Sequence, residues 1–299
     1  MILCPVCGAQ VPEEGGKPYP GAGDNELGLS SIVFCEACGL GLAVPAPSEE
    51  RLDAYYGSSA FWGGQKVISR RGDISMLEQA RSRWRYVDCF ADLPCERLRV
   101  LDVGAGIGCI GLEADDRLDH YVAVEPDAGM RNALAEAWAA FGKSATIETL
   151  ESIDQAEGAF DLVVCSHVLE HVVDPCRFMA TMRGHLARDG VCFIEVPYRD
   201  DLFKEDLFPH LLFYSPESME AAILESGFTP LDIRVVGTPR SRSPLNPKAG
   251  RWVYRASALL RRLGKLLPLW LLRRLFSLHY QWDVAAKDGV WLRVLMKRR

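Results

Sequence analysis

The stretch 100-VLDVGAGIGCIG-111 runs from an apolar strand into a turn with glycine at positions 104, 106 and 108. A dinucleotide-binding turn spaces its glycines G-x-G-x-x-G, with the pyrophosphate on the following helix N-terminus. Here the place of that third glycine is taken by Cys109. Asp102, just before the turn, would also repel a pyrophosphate. The turn therefore suits a positively charged ligand, whose atoms can approach backbone that carries no side chains.

Around this turn, apolar strands alternate with helical patterns, which predicts a parallel α/β sheet. The expected strands are 98–103, 120–125, 145–149, 160–165, 190–196, 230–237 and 289–296. Upstream, 49–56 and about 74–93 read as helices, the second stopped by Pro94. With 48% apolar and 25% charged residues in 299, the composition is that of a globular protein with ample core. The expected division is 1–46, then a helical linker 47–97, then a sheet domain 98–299 with a helical insertion at about 240–285.

The second strand ends at Glu125, followed by Pro126 and Asp127. An acid about 20 residues past a glycine turn, at the end of the neighbouring strand, accepts both hydroxyls of a ribose. The pattern thus has a nucleoside-binding acid and no phosphate-binding feature.

The segments 100-VLDVGAGIG-108, 122-VAVEPD-127, 160-FDLVVCSHVLEHVVDP-175, 189-DGVCFIEVP-197 and 213-FYSPESMEAAILESGF-228 together resemble class I S-adenosylmethionine-dependent methyltransferases. The likeness covers roughly residues 95–235, with the five segments in order. It implies a Rossmann-like seven-stranded sheet and an S-adenosylmethionine site formed by Asp102, Gly104, Ala105, Gly106, Gly108, Glu125, Pro126, Ser166 and His167. In that family the glycines approach the methionine part, Asp102 lies near its ammonium and Glu125 holds the ribose. Leu150 and Glu151 stand where the family places a polar residue beside the adenine.

Active sites of open α/β sheets lie beyond the C-terminal strand ends, here at 166-SHVLEHVVDP-175. On a helix, His167, Glu170 and His171 would share one face. An imidazole with a pKa near 6.5 suits a base that takes an acceptor proton, a contribution of about 10²–10⁴ in rate. Alternatively, His167, Glu170 and His171 bind a divalent ion, in a cluster similar to the E-x-x-E-H site of ubiquinone-pathway and small-RNA O-methyltransferases, with His210 as an added ligand. A third reading leaves the histidines structural. His167, His171 and His210 are the candidate catalytic residues; Tyr55, Tyr56, Phe213 and Tyr214 are candidates for gripping the acceptor.

The chain opens with 4-CPVCG-8 and returns with 35-CEACG-39. Two C-x-x-C-G knuckles offer four thiolates for a tetrahedral, structural Zn²⁺ through Cys4, Cys7, Cys35 and Cys38. The remaining six of ten cysteines lack ligand spacing and are expected as core fillers. No signal-peptide pattern opens the sequence, so a reducing, cytoplasmic setting is expected.

Charge is segregated. Residues 234–299 hold 16 of the 34 basic residues and 2 of the 40 acidic ones. Such a segment either packs on the acidic remainder or meets a polyanionic or membrane-surface partner. Within it, 251–282 reads as two amphipathic helices broken at Pro268, suited to peripheral membrane contact, to phosphates of a lipid-linked or nucleotide-bearing acceptor, or to RNA. The apolar run 266-LLPLWLL-272 is too short to span a bilayer.

The resemblance is nearest to the zinc-bearing group acting on sugars, glycans and natural-product intermediates, with a hydroxyl, or else a carbon, as the expected methyl acceptor. Two other readings remain: an RNA methyltransferase with a zinc ribbon, and a non-catalytic binding module on the same fold.

Overall fold

The computed structural model describes residues 1–21, 25–57, 73–94, 96–114, 116–237, 239–240, 267–279 and 288–299. Most of the basic insertion, including 251–266 and 280–287, lies outside these described residues, as does Cys95.

The first strand of the central sheet, β6 (Leu98–Val103), grows from the opening stretch and is nearly all buried. It pairs in parallel with β7 (Leu118–Val124) on one side and β9 (Phe160–Ser166) on the other. Outward from these lie β8 (Thr146–Leu150) and β10 (Leu186–Pro197), both parallel to their neighbours. The last strand, β13 (Trp291–Arg298), inserts antiparallel between β10 and β12 (Phe228–Val236). The seven-stranded order is β12-β13-β10-β9-β6-β7-β8. The strands follow one another outward in opposite directions from the parallel β6–β9 pair, and a ligand crevice opens at such a switch point.

Upstream lies α1 (Glu49–Gly57), and helices cover both faces of the sheet: α2 (Ile74–Phe90), α3 (Cys109–Leu112), α4 (Ala128–Ala140), α5 (Pro175–Gly184) and α6 (Pro216–Glu225). Asp127 and Asp174 cap α4 and α5, accepting from the amides of Met130 and Arg177. Helix α2 ends at Phe90, three residues short of expectation, where Ala91 turns extended ahead of Pro94. Strand β10 starts earlier than expected, at Leu186, with a register shift before Val191. Gly190 sits in that irregularity because a Cβ there would lie 2.6 Å from the Phe160 carbonyl oxygen.

The N-terminal region folds as two knuckle-bearing hairpins. Strands β1 (Ile2–Leu3) and β2 (Gln10–Val11) flank the first knuckle; β4 (Ser31–Phe34) and β5 (Gly41–Val44) flank the second. A second sheet runs β11-β5-β4-β3, with β3 at Lys17–Pro18 and β11 at Leu212–Phe213. Strand β11 comes from the far part of the chain, and Leu212 pairs with Leu42. One continuous core joins Val6, Ile32 and Leu42 of this region to Leu101, Val163 and Ile194 of the large sheet. On the opposite face, Trp84, Tyr86 and Val87 of α2 pack with Val100, Leu134 and Phe193. Neither the N-terminal region nor α2 is a detached unit.

Of the cysteines expected as core fillers, Cys109, Cys165 and Cys192 are buried and Cys176 is partly so, but Cys89 is exposed. Within the basic segment, α7 (Leu269–His279) packs on α2, and Arg273 meets Glu113 at 3.1 Å and Glu78 at 3.7 Å. Arg273 is thus one basic residue of this segment packed on acidic side chains of the body. No helix among the described residues is long and apolar enough to cross a membrane.

Candidate active site

Gly104, Gly106 and Gly108 have φ of 73°, 53° and 68°. Three alternate left-handed positions explain the alternate glycines, since other residues adopt that conformation at a cost. The turn is fastened to the end of β7: the amides of Gly104 and Ala105 donate to the Val124 carbonyl at 2.8 and 2.9 Å. Beside it, buried Glu125 accepts from the Gly106 amide at 2.9 Å and from the Asp127 amide at 3.1 Å.

A cleft of about 940 Å³ opens over this turn, within the size range of small-molecule sites. Gly104, Ala105, Gly106, Glu125, Pro126, Ser166 and His167 all line it. Gly108 does not; a Cβ there would run into Leu134, so it is needed for packing. Asp102 does not line it either. Its carboxylate lies below the turn, accepting from the Tyr121 hydroxyl at 2.5 Å, and burial pushes its pKa up to about 6 despite that bond. Beyond β8, Glu151 lines the cleft and Leu150 does not. A 3₁₀ turn at Ile153–Gln155, capped by Ser152, brings Ile153 and Asp154 to the wall as well. Asp154 was missed in the sequence because it falls just past the strand end where a polar residue was sought.

The segment after β9 does not form the helical face expected of His167, Glu170 and His171. His167 takes a left-handed φ of 58°, and only Leu169–His171 make a 3₁₀ turn. The shared metal-binding face of His167 with the other two is therefore corrected. The ring of His167 instead stands between two carboxylates, with Nε2 hydrogen-bonded to Glu195 at 3.1 Å and Nδ1 3.4 Å from Glu170. Burial opposes protonation of this ring, but the two carboxylates outweigh it and raise its pKa. A ring engaged by two acids is not free to serve as the acceptor's base.

Glu195 anchors this arrangement from within β10. It is fully buried, accepts from Arg83 at 2.6 Å and from Arg293 at 2.6 Å, and lies well below the usual carboxylate range because both guanidinium groups outweigh desolvation. No sequence pattern marked it; a lone acid in 193-FIEV-196 was the available signal.

The groups that do converge are Glu170, His171 and His210, whose ligand atoms lie within 4.8 Å of one another. Desolvation opposes ionisation of Glu170, yet three neighbouring imidazoles hold its pKa below the usual value. Neither of its carboxylate oxygens has a hydrogen-bond donor among the described residues. Burial lowers the His171 pKa to about 4, against the pull of Glu170, so this ring stays neutral. An ionised carboxylate beside a neutral imidazole fits a divalent cation or a polar acceptor.

Rings continue outward from His171: His210 at 4.9 Å, Tyr56 at 5.7 Å, then Tyr55 and Phe208. Tyr56 lines the cleft and Tyr55 backs it. Phe213 and Tyr214, expected to grip the acceptor, are instead fully buried core residues.

The four knuckle cysteines cluster at the other end of the N-terminal sheet, their sulfurs all within 4.8 Å. Cys4–Cys38 and Cys7–Cys35 are 3.6 and 3.5 Å apart, close to the edge of a tetrahedron with Zn–S bonds of about 2.3 Å. Each knuckle turns alike: the Gly8 and Gly39 amides donate to the Cys4 and Cys35 carbonyls, with φ of 70° and 78° at the glycines. The thiols fit a zinc ion.

A family profile described as methyltransferase domain matches residues 76–233, more than half of the chain. Among curated proteins, a ubiquinone biosynthesis O-methyltransferase of Cereibacter sphaeroides is 35% identical over 108 residues, 35% of this chain and 43% of that protein. One from Parvibaculum lavamentivorans is 30% identical over 125 residues, 40% and 49% of the respective chains. The chain spans less than half the length of these relatives.

Among solved structures, magnesium protoporphyrin IX methyltransferase of Synechocystis PCC 6803 aligns with a TM-score of 0.50 at 12% identity, covering 84% of this chain and all of that one (100%). The [4+2]-cyclase SpnF aligns with a TM-score of 0.51 at 16% identity, covering 73% and 80%. At such identities the likeness shows the fold, and the cyclase shows that this fold alone does not set the reaction. By its matched profile, its seven-stranded sheet and its glycine turn, the chain belongs to the methyltransferase-domain family.

Proposed function

We propose that this protein transfers the methyl group of S-adenosylmethionine to a hydroxyl of a small, uncharged biosynthetic intermediate, a sugar, glycan or related natural-product precursor. The observation carrying the proposal is one cleft lined by the glycine turn and Glu125 at one end and by Glu170, His171 and His210 at the other. The first end offers bare backbone and an acid for a cationic nucleoside. The second offers neutral and acidic groups for a hydroxyl.

A sulfonium is already an activated electrophile, so holding donor and acceptor in line supplies most of the rate. As the acceptor oxygen bonds to the methyl carbon, the carbon–sulfur bond breaks and its electron pair stays on sulfur, leaving a neutral thioether. The acceptor proton needs a base, and His210 is the imidazole on the cleft wall suited to take it. His167 is already committed to Glu195 and Glu170.

Each basic side chain lining the cleft, among the described residues, stands against a carboxylate: Arg83 with Glu195, Arg177 with Glu49, Lys204 with Asp200. This pairing supports an uncharged acceptor over a phosphate-bearing one. The curated O-methyltransferase relatives support oxygen over carbon as the acceptor atom.

A second reading keeps the same reaction and adds a divalent cation held by Glu170, His171 and His210, favoured by the convergence of their ligand atoms. Such an ion, when bound, lowers the pKa of a coordinated hydroxyl. At the four cysteines we propose Zn²⁺ in a structural role, because four thiolates complete its coordination. The test is transfer of labelled methyl from S-adenosylmethionine to a panel of polyols, phenols, nucleotide-sugars and RNA. Product with the label on a hydroxyl of an uncharged member supports the proposal; transfer to RNA alone, or to carbon alone, would overturn it.

A further inference from the structure

The tandem arginines of α7 face opposite ways. Arg273 turns to the body, where its guanidinium lies 3.1 Å from Glu113 and 3.7 Å from Glu78, both buried. Beside it Leu272 is buried, and the helix packs along α2. Arg274 is exposed, and among the described residues no carboxylate stands against it. One turn earlier on the same face is Trp270, 66% exposed. By helical spacing Leu269 and Leu275, each 37% exposed, stand on either side of that face.

A helix docked on a globular body ordinarily turns charged and polar side chains to water. This one is held by a leucine and a paired arginine, and it turns outward a tryptophan, two leucine edges and a second arginine. The surrounding sequence says which partner fits. From 233 to 282 there are 11 Lys/Arg and no Asp/Glu, although the chain as a whole has a net charge of −6. An anionic surface complements such a segment, whereas a second copy of the chain would set two of them face to face and repel. Among anionic partners, RNA phosphates are held by clustered cations. Tryptophan and leucine beside an arginine instead match the headgroup boundary of a membrane, where apolar bodies sink and polar tips stay wet.

We propose that the outward face of α7, built on Trp270 and Arg274, docks the protein peripherally on an anionic lipid bilayer, with Leu272 and Arg273 holding the helix to the body. The contact does not depend on the methyltransferase reading. Its place in the fold is next to the cleft: α2, on which α7 packs, supplies Met76, Gln79 and Arg83 to the cleft wall.

The test is sedimentation of the full-length protein with vesicles of phosphatidylcholine, alone or with about one third phosphatidylglycerol, at low and high salt. The expected result is binding to the anionic vesicles that salt weakens, and far less binding to phosphatidylcholine alone. Trp270→Ala should weaken partitioning about tenfold and Arg274→Ala about fivefold. Arg274→Lys keeps the charge and should bind as the wild type does. Both positions face outward, so the variants should fold, which circular dichroism checks; if one does not, the other still decides. A wild type that leaves anionic vesicles unbound would overturn the proposal, as would Trp270→Ala and Arg274→Ala binding them as well as the wild type. An RNA oligomer bound in place of vesicles, or a dimer that Trp270→Ala dissolves while vesicles stay unbound, would overturn it in favour of that partner.

Discussion

The hydroxyl of Tyr19 donates to the carbonyl of His210 at 3.0 Å, across 191 residues of chain. A contact of that span means that the cysteine-bearing region and the acceptor end of the cleft fold as one structure. The metal that the thiols fit therefore has consequences at the cleft.

The protein is expected to purify with one zinc per chain by elemental analysis. Removing it with a strong chelator should release β11 from β5, because Leu212–Leu42 pairing depends on the second knuckle hairpin. Hydrogen exchange of residues 207–213 should then accelerate by tenfold or more, equivalent to about 1.4 kcal/mol of lost protection. Zinc absent from the purified chain, or exchange there unchanged on removal, would contradict this.

Gly104→Ala should damage both the turn and its neighbour. The new Cβ would enter a left-handed φ of 73° and collide with Val168, the residue after His167. The backbone term alone costs roughly 1–2 kcal/mol. Adding Val168→Ala should restore the part due to the collision and leave the backbone part, read by denaturant unfolding. Equal stability of the single and double variants would show that Val168 is not the obstacle.

Glu195→Gln should be among the most destabilising polar substitutions. It leaves Arg293, at 1% exposure, and Arg83 without their counter-charge, a loss of about 3–5 kcal/mol for a buried pair broken on one side. His167 should lose its orientation with it. A loss below about 1 kcal/mol would show that the buried charges relax by some other route.

The sheet was legible in the sequence where strands are long and apolar, as in β6, β9 and β10, and where chemistry imposes spacing, as in the two knuckles. Its strand ends drifted by a few residues, since β13 is bounded by pairing with both β10 and β12 and not by its own pattern. Strand β11 left no trace, because two residues carry no periodicity and their partner lies in the N-terminal hairpin. The glycine turn and Glu125 were legible because their spacing is local. The acceptor end was only half legible: its histidines stood out, but which of them face the cleft depends on the left-handed turn at His167 and on partners from other elements. Glu195, Arg83 and Asp200 were invisible for the same reason. A single acid in an apolar strand does not reveal the arginines opposite it.

The buried carboxyl of Asp102 should give the protein a pH-dependent stability. Its folded pKa, raised by burial to about 6 against 3.8 unfolded, means that the native state holds its proton longer than the unfolded chain does. Stability from this group is highest below the unfolded value and falls as pH rises through the folded one. Relative to the wild type, Asp102→Asn should therefore gain roughly 1–1.5 kcal/mol between pH 5 and pH 8, measured by denaturant unfolding without ligand. A difference independent of pH would show that the carboxyl is ionised throughout.

The central claim is that the glycine turn and Glu125 receive a sulfonium nucleoside, and calorimetric titration of the zinc-loaded protein tests it most directly. The account predicts one equivalent of S-adenosylmethionine or S-adenosylhomocysteine bound, no binding of NAD, and affinity about 10–100-fold weaker in Glu125→Ala, as expected for lost hydrogen bonds to a charged group. Binding of NAD in place of the sulfonium compound, or full affinity in the Glu125 variant, would contradict it.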